Sequence, residues 1–192
     1  MQIKNIKKIG IYIQEININD VTPTYIKWLN DPSINQFLET RFNEQNFESI
    51  QKFVQSTIDN PNEHLFSIRT TCTNKHIGNI KIGSINRQHH LGYISLFIGD
   101  KTQWGKNYAV QAIQLISRYA IEYLLLRKLV ASAYKPNIAS IKVFTKAGYQ
   151  QDAILKSHYI LDGVPCDLIS MSFFNKDVSI LPNIEISNGS KY

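Results

Sequence analysis

With 192 residues, 43% hydrophobic and 19% charged, the chain suits one domain with a sizeable core and is ordinary for a globular protein. A formal charge of +6 favours anionic partners, but Lys and Arg are scattered without a basic tract, which argues against nucleic acid and fits a polyanionic small molecule. No apolar run approaches membrane-spanning length and residues 1–10 lack the hydrophobic segment of a signal peptide, so no membrane partner and a cytoplasmic location are expected.

In chain order, residues 9–16 (IGIYIQEI) read as a first strand and residues 17–20 as a turn. Thr22 and Pro23 supply a capping residue and a proline at the first helical position, predicting a short helix that stops before Asp31-Pro32. Residues 32–42 begin with a turn of helix and become irregular around Glu39, Thr40 and Arg41. A second helix is expected over about 46–59, where Phe47, Ile50, Phe53, Val54 and Ile58 keep helical spacing. Residues 65–71 and 76–85 read as strands joined in a hairpin. Residues 93–98 predict a largely buried central strand with Tyr93, Ser95 and Phe97 on one face, and Gly92 and Gly99 bracket it. A loop then leads to an amphipathic helix of four to five turns, its apolar positions running from Ala109 to Leu124. After it come a strand at 128–134, a turn at Pro136-Asn137, a helix over 138–147 closed by Gly148, and two strands around Asp162-Gly163. Residues 1–174 are expected to form one domain. Polar residues dominate 175–192 without periodicity, which predicts a poorly packed tail.

The loop before the long helix reads Gly105-Lys106-Asn107-Tyr108-Ala109. Small residues feeding a helix N-terminus leave amides without partners, pointing one way and backed by the helix dipole, and such a place binds phosphate. Gly105 permits close backbone approach, Asn107 tolerates a left-handed conformation and Lys106 adds a cation. An ordinary capped turn accounts for the same residues.

Trp104, Gly105, Lys106, Tyr108 and Ala109, then Asn137 and Ser140, then Lys146, Gly148 and Tyr149 follow the order W-G-K-x-Y-A, helix, strand, N-x-x-S, K-x-G-F/Y. This pattern resembles the GNAT superfamily of acyl-CoA-dependent N-acyltransferases, especially its RimJ/RimL-like branch, and extends more weakly from about Ile9 to Phe174. Asn107 stands where the family usually has glycine. The resemblance implies an α/β (α+β) fold: a mixed, mostly antiparallel twisted sheet of about seven strands, helices on both faces, and a splayed central strand pair that admits pantetheine. It implies acetyl-CoA as acyl donor, its pyrophosphate on the amides of Gly105, Lys106, Asn107, Tyr108 and Ala109, with Asn137, Ser140, Lys146 and Tyr134 along the cofactor. The Phe97 amide would meet the thioester carbonyl and stabilise the oxyanion.

Amine acylation needs a neutral amine and a proton for the departing thiolate. Phe144 stands where many relatives carry a tyrosine acid and Tyr93 where some carry a glutamate base, leaving Tyr93, another acceptor-side group or water to act. Glu39 and Arg41 come from the segment that roofs the acceptor groove in this family. There Glu39 would take the amine proton and Arg41 would grip an anionic part of the acceptor, or the two form an exposed salt bridge. His90, His158 and Asp167 are further acceptor-side candidates. His89-His90 lacks a third ligand, and Cys72 and Cys166 are isolated, so free thiols and no metal are expected. Residues 31–42 with 76–83 resemble RimJ/RimL-like proteins that modify surface-polysaccharide amino sugars. The leading expectation is acetyl transfer from acetyl-CoA directly to a primary amine of a small-molecule acceptor, such as a nucleotide-linked amino sugar. A protein N-terminal acetyltransferase of the ribosomal-protein type and a non-catalytic acyl-CoA-binding module are the alternatives, and homodimer formation stays open.

Overall fold

The helix starts form where their caps are. Thr22 Oγ1 accepts the Tyr25 N–H at 3.3 Å, Asn46 Oδ1 accepts the Ser49 N–H at 2.9 Å, and Asn137 Oδ1 accepts the Ser140 N–H at 3.1 Å. These open α1 (Pro23–Leu29), α3 (Phe47–Ile58) and α5 (Ile138–Lys146); α2 (Pro32–Asn35) is a single turn and α4 (Tyr108–Glu122) the longest helix. The computed structural model describes residues 1–5 and 10–187.

Among the described residues nine strands make one sheet: β1 (Gln2–Asn5), β2 (Ile11–Glu15), β3 (His64–Thr70), β4 (His76–Asn86), β5 (Leu91–Ile98), β6 (Lys128–Tyr134), β7 (Gln150–Leu161), β8 (Val164–Phe174) and β9 (Ile184–Ser187). Their order is β7-β8-β6-β5-β4-β3-β2-β1-β9, and β5 with β6 is the one parallel pair among the described strands. Side-chain alternation on β3 separates the two faces. Leu65 packs with Tyr25, Trp28, Ile50 and Val54 of α1 and α3, while its neighbours Phe66 and Ile68 join the larger core with Ile113 and Ile116 of α4 and Phe144 of α5. Helices therefore cover both faces, as expected.

The sheet is wider than the seven strands read from the sequence. β1 precedes the first expected strand, whose Ile9 lies outside the described residues. The other extra strand comes from the segment expected to be a poorly packed tail: Leu181 is buried, its carbonyl accepts from Arg118 Nη1 at 2.8 Å, and β9 pairs antiparallel with β1. Val178, Ile184 and Ile186 pack on the core, an apolar pattern too short and too diluted by polar neighbours to read as an element. Residues 188–192 lie outside the described residues.

What positions the site is the failure of β5 and β6 to stay together. They are paired at Leu91–Lys128, Gly92–Leu129 and Tyr93–Val130 and at no later position, although β4 accompanies β5 to Ile98 and β8 accompanies β6 to Tyr134. Each strand follows its own antiparallel neighbour, and a gap opens between them. On β5, Tyr93 and Ser95 are exposed where a largely buried strand was expected. Among the described residues no helix is long and apolar enough to cross a membrane.

Candidate active site

At the open end of the gap, β5 runs into a loop that Trp104 ties back, its Nε1–H donating to the Ile98 carbonyl at 2.9 Å. Asp100 accepts from the Thr102 amide at 3.0 Å and pairs with Lys75 at 2.7 Å. Burial alone would raise the Asp100 carboxyl, but Lys75 and Thr102 outweigh it and hold the pKa at about 2. Gly105 has φ +79° and Asn107 φ 60°, ψ 15°, so the asparagine occupies the left-handed conformation that glycine adopts most readily. The amides of residues 105–110 have no protein acceptor among the described residues; Gln111, donating to Asn107 O at 3.1 Å, is the first to enter the helical ladder. A Cβ at Gly105 would meet nothing within 4 Å, and Lys106 Nζ sits beside the loop on Gln103 Oε1 at 3.0 Å. Convergent amides, open space above Gly105 and the N-terminus of a 15-residue helix fit an anionic group such as the pyrophosphate of coenzyme A.

Backbone parity decides which amides of β5 face the gap. Lys128 N–H donates to His90 O at 3.3 Å and Gly99 N–H to Ile77 O at 2.8 Å. Alternation between these two points turns even-numbered residues of β5 toward β6 and odd-numbered ones toward β4. Leu96 and Ile98 therefore present their amides to the gap. Phe97, the register partner of Asn79 in β4, turns its amide away from the place expected for it. Its ring stacks on Tyr25 at 6.1 Å instead.

A cleft of about 600 Å³ passes through the gap. Asn137, Ser140 and Phe144 of α5 line it from one face of the sheet, and Tyr25 and Leu29 of α1 with Ile50 and Phe53 of α3 line it from the other. The Asn137 Oδ1 that caps α5 is committed to the Ser140 amide, so Asn137 is both helix cap and cleft wall.

Glu39 enters the cleft from the 3-10 turn Glu39–Phe42. Its Oε1 accepts from the Tyr134 hydroxyl at 2.6 Å, and that hydroxyl accepts from Arg41 Nη2 at 2.8 Å. Burial first, and the Glu39 carboxylate second, raise the Tyr134 phenol above its ordinary value, so it keeps the proton it donates. Of the two readings the sequence left open for Arg41, an anion grip or a salt bridge with Glu39, the structure has the salt bridge. The Arg41 guanidinium also donates to Leu38 O at 3.0 Å and Ile160 O at 3.3 Å, lies 3.5 Å from Glu39 Oε1 and stacks over Phe42 and Tyr134, leaving 14% of the side chain exposed.

The cleft floor holds polar groups that were not expected. Asn79, 2% exposed, receives a hydrogen bond from His76 Nε2 at 2.8 Å on Oδ1, while its Nδ2 has no partner among the described residues. The same Nε2 lies 3.0 Å from Gly78 O, a carbonyl that can only accept, which places the proton on Nε2. Burial holds His76 below its ordinary value and pushes the Tyr25 phenol up to about 12, the Asn79 carboxamide opposing the latter. Thr40 Oγ1 is likewise buried without a partner on the cleft wall. The available signal for Asn79 was a lone carboxamide inside the apolar run HIGNIKIG.

Other expected residues lie elsewhere. Tyr93 is 46% exposed and sits where β5 and β6 are still paired, outside the cleft lining. Lys146 is at the exposed C-terminal turn of α5, about 9 Å along the helix from Ser140. His158 is exposed and packs on Tyr159, and Asp167 is engaged by the Ser157 amide, Lys135 and Lys156. His90 Nδ1 bonds Leu125 O at 3.1 Å. Among the described residues no group of three or more His, Cys, Asp or Glu side chains gathers to hold a metal, and Cys72 and Cys166 are free thiols.

Known proteins resemble this chain in sequence and in fold. The chain is 27% identical over 124 residues to the probable N-acetyltransferase YjcK of Bacillus subtilis (strain 168), covering 64% of this chain and 68% of that protein. It is 25% identical over 112 residues to the uncharacterized N-acetyltransferase p20 of Bacillus licheniformis, covering 58% and 62%. In fold it is similar to the spermidine N-acetyltransferase from Vibrio cholerae in complex with CoA and spermine, with a TM-score of 0.79 at 17% identity over 88% of this chain and 98% of that one. It is also similar to RimL, a ribosomal L7/L12 alpha-N-protein acetyltransferase in complex with coenzyme A, with a TM-score of 0.78 at 17% identity over 86% and 94%. The family described as Acetyltransferase (GNAT) domain matches residues 11–150. With that match across most of the chain, a sheet split between β5 and β6 and an amide-lined loop opening α4, the protein belongs to the GNAT acetyltransferases, which transfer an acetyl group from acetyl-CoA to an amine.

Proposed function

We propose that the chain acetylates a primary amine of a small molecule held in the through-sheet cleft, and that it belongs to the RimJ/RimL-like branch. The observation that carries the reading is the Glu39–Tyr134–Arg41 cluster at a cleft that opens toward α5 on one face and toward α1 and α3 on the other. The motif spacing from Trp104 to Tyr149 supports the branch.

Bound acetyl-CoA supplies an activated acetyl thioester, and transfer forms a C–N bond, breaks the C–S bond and releases the thiolate, which takes its proton from water. The amides of residues 105–110 hold the pyrophosphate end, while Asn137 and Ser140 flank the chain that follows it. The Leu96 amide, facing the gap, donates to the thioester carbonyl as negative charge grows there. Glu39 accepts the proton the amine must lose. Tyr134 keeps that carboxylate pointed into the cleft, and Arg41 keeps Tyr134 in place. A nucleotide-linked amino sugar, the acceptor expected from the sequence, calls for a cation at its diphosphate; Arg41 is spent on Leu38, Tyr134 and Ile160, so the amine is retained in this reading and the nucleotide is not.

Thiol release from acetyl-CoA, measured over spermidine, amino sugars, amino-acid amides and a peptide with a free N-terminus, tests the reading. Amine-dependent release is expected, and Glu39→Gln should lower kcat by roughly a hundredfold, as for loss of a positioned base, with calorimetric acetyl-CoA binding kept. Binding of acetyl-CoA without release to any amine would instead leave an acyl-CoA-binding module.

A further inference from the structure

At the end of β5 remote from the α4 entry, the loop between α3 and β3 and the turn between β4 and β5 line a second pocket, of about 520 Å³. β5 is eight residues long, so this pocket lies roughly 25 Å from the amides that open α4. Three asparagines line it, and the oxygen of each is already taken. Asn60 Oδ1 accepts the Asn62 N–H at 3.0 Å, Asn62 Oδ1 accepts from Arg87 Nε at 3.0 Å, and Asn86 Oδ1 accepts the His89 N–H at 2.9 Å. A partner that can only donate fixes each carboxamide with its oxygen toward that partner and leaves the NH2 group over. None of the three Nδ2 atoms has a protein acceptor among the described residues. Arg87 supplies charge: its Nε and Nη2 are held by Asn62 Oδ1 and, at 2.7 Å, by Pro61 O, both neutral, and it has no ion pair among the described residues. No Asp or Glu lines the pocket. The backbone is unusual as well. Ser84 on the lining has φ 48°, where the pairing of β4 with β5 slips between Gly83 and Asn86 and the Ile85 N–H turns to Asn62 O at 3.2 Å. A non-glycine residue stays left-handed where its surroundings over-determine it, and such positions gather at binding sites.

We propose that this pocket is a second anion site, remote from acetyl transfer, which takes a tetrahedral oxyanion: phosphate, or the phosphate group of an ester. The anion pairs with Arg87 and accepts from the carboxamide N–H groups of Asn60, Asn62 and Asn86. Donors on two stretches of chain that face one pocket suit an anion with oxygens on every side, and a guanidinium with no carboxylate beside it repels an ammonium group.

The test titrates inorganic phosphate into the whole chain at constant ionic strength and follows the amide chemical shifts residue by residue, so that binding at residues 105–110 is read separately. Saturable shifts at residues 60–63 and 84–89 are expected, with a Kd of about 1 mM or tighter. Asn60→Asp and Asn86→Asp keep the oxygen that accepts the Asn62 or His89 N–H and put a charged oxygen in place of the NH2 group. Each should raise that Kd by about tenfold or more, as should Arg87→Gln, which removes the charge. None of the three residues lines the acetyl-transfer cleft, so acetyl-CoA binding should match the parent's, which also shows that the variants are folded. The same titration with glycerol 3-phosphate identifies the source: tighter binding than phosphate names an ester, weaker binding the free ion, and both keep the site. Phosphate shifts confined to residues 105–110, no saturable shift at all, or a Kd that Asn60→Asp and Arg87→Gln leave unchanged overturns the proposal.

Discussion

A phenol that donates a hydrogen bond to a carboxylate and accepts one from a guanidinium is oriented from both sides, and Tyr134 holds that position between Glu39 and Arg41. Tyr134→Phe deletes both bonds and leaves the ring stacking intact. Because hydrogen bonds to charged groups contribute about 1.5–3 kcal/mol, kcat should fall by about ten- to a hundredfold while KM for acetyl-CoA stays the same, as steady-state kinetics can check. Glu39 and Arg41 were legible as a pair because they are two positions apart; their shared partner stands 95 positions from Glu39 and came within reach only when β6 was placed. The Phe97 amide illustrates another limit. Whether it or Leu96 faces the gap depends on hydrogen-bond parity set by β4 and β6, a property of three strands that no stretch of one strand encodes.

Among the elements, the α4 entry was the most legible, since it uses only local chemistry: a glycine, an asparagine and a helix start. Asn107 at φ 60° does there what a glycine would, and a β-branched residue could not. Asn107→Val should therefore weaken acetyl-CoA binding by about tenfold or more in calorimetry, for about 1–3 kcal/mol of backbone strain, whereas Asn107→Gly should bind at least as well as the parent. The β7–β8 ladder was read as two strands, but its interruption between Leu155 and Tyr159 was not. Asp167 fastens that bulge by accepting the Ser157 N–H at 3.0 Å and pairing with Lys135 at 3.1 Å and Lys156 at 3.2 Å, which hold its carboxyl at about 2. A depressed carboxyl contributes stability above its unfolded pKa of about 3.9 and loses it as pH falls through the folded value. Asp167→Asn should accordingly melt earlier than the parent at pH 7, with the difference closing between about pH 4 and pH 2.

For the whole molecule, the two-faced α/β architecture was legible and the sheet's outer edge was not, because β1 and β9 are four residues each and gain their order from each other and from α4. Leu181, 4% exposed, anchors that edge. Leu181→Ala should lower the unfolding free energy by about 2–5 kcal/mol in urea titrations, the cost of a cavity in the core, while a change near zero would mean that the edge is detached. The three rungs between β5 and β6 have a mechanical side as well. Six strands lie on one flank of this seam and three on the other, two stiff plates with a short weld between them. A strand-like ligand lying in the gap is a splint across the joint, and it stiffens the plates whether or not it still carries an acetyl group. With coenzyme A in that place, as proposed above, each release of the spent cofactor would remove the splint, so the tight grip that would make the molecule most durable is the grip that would slow its next turnover.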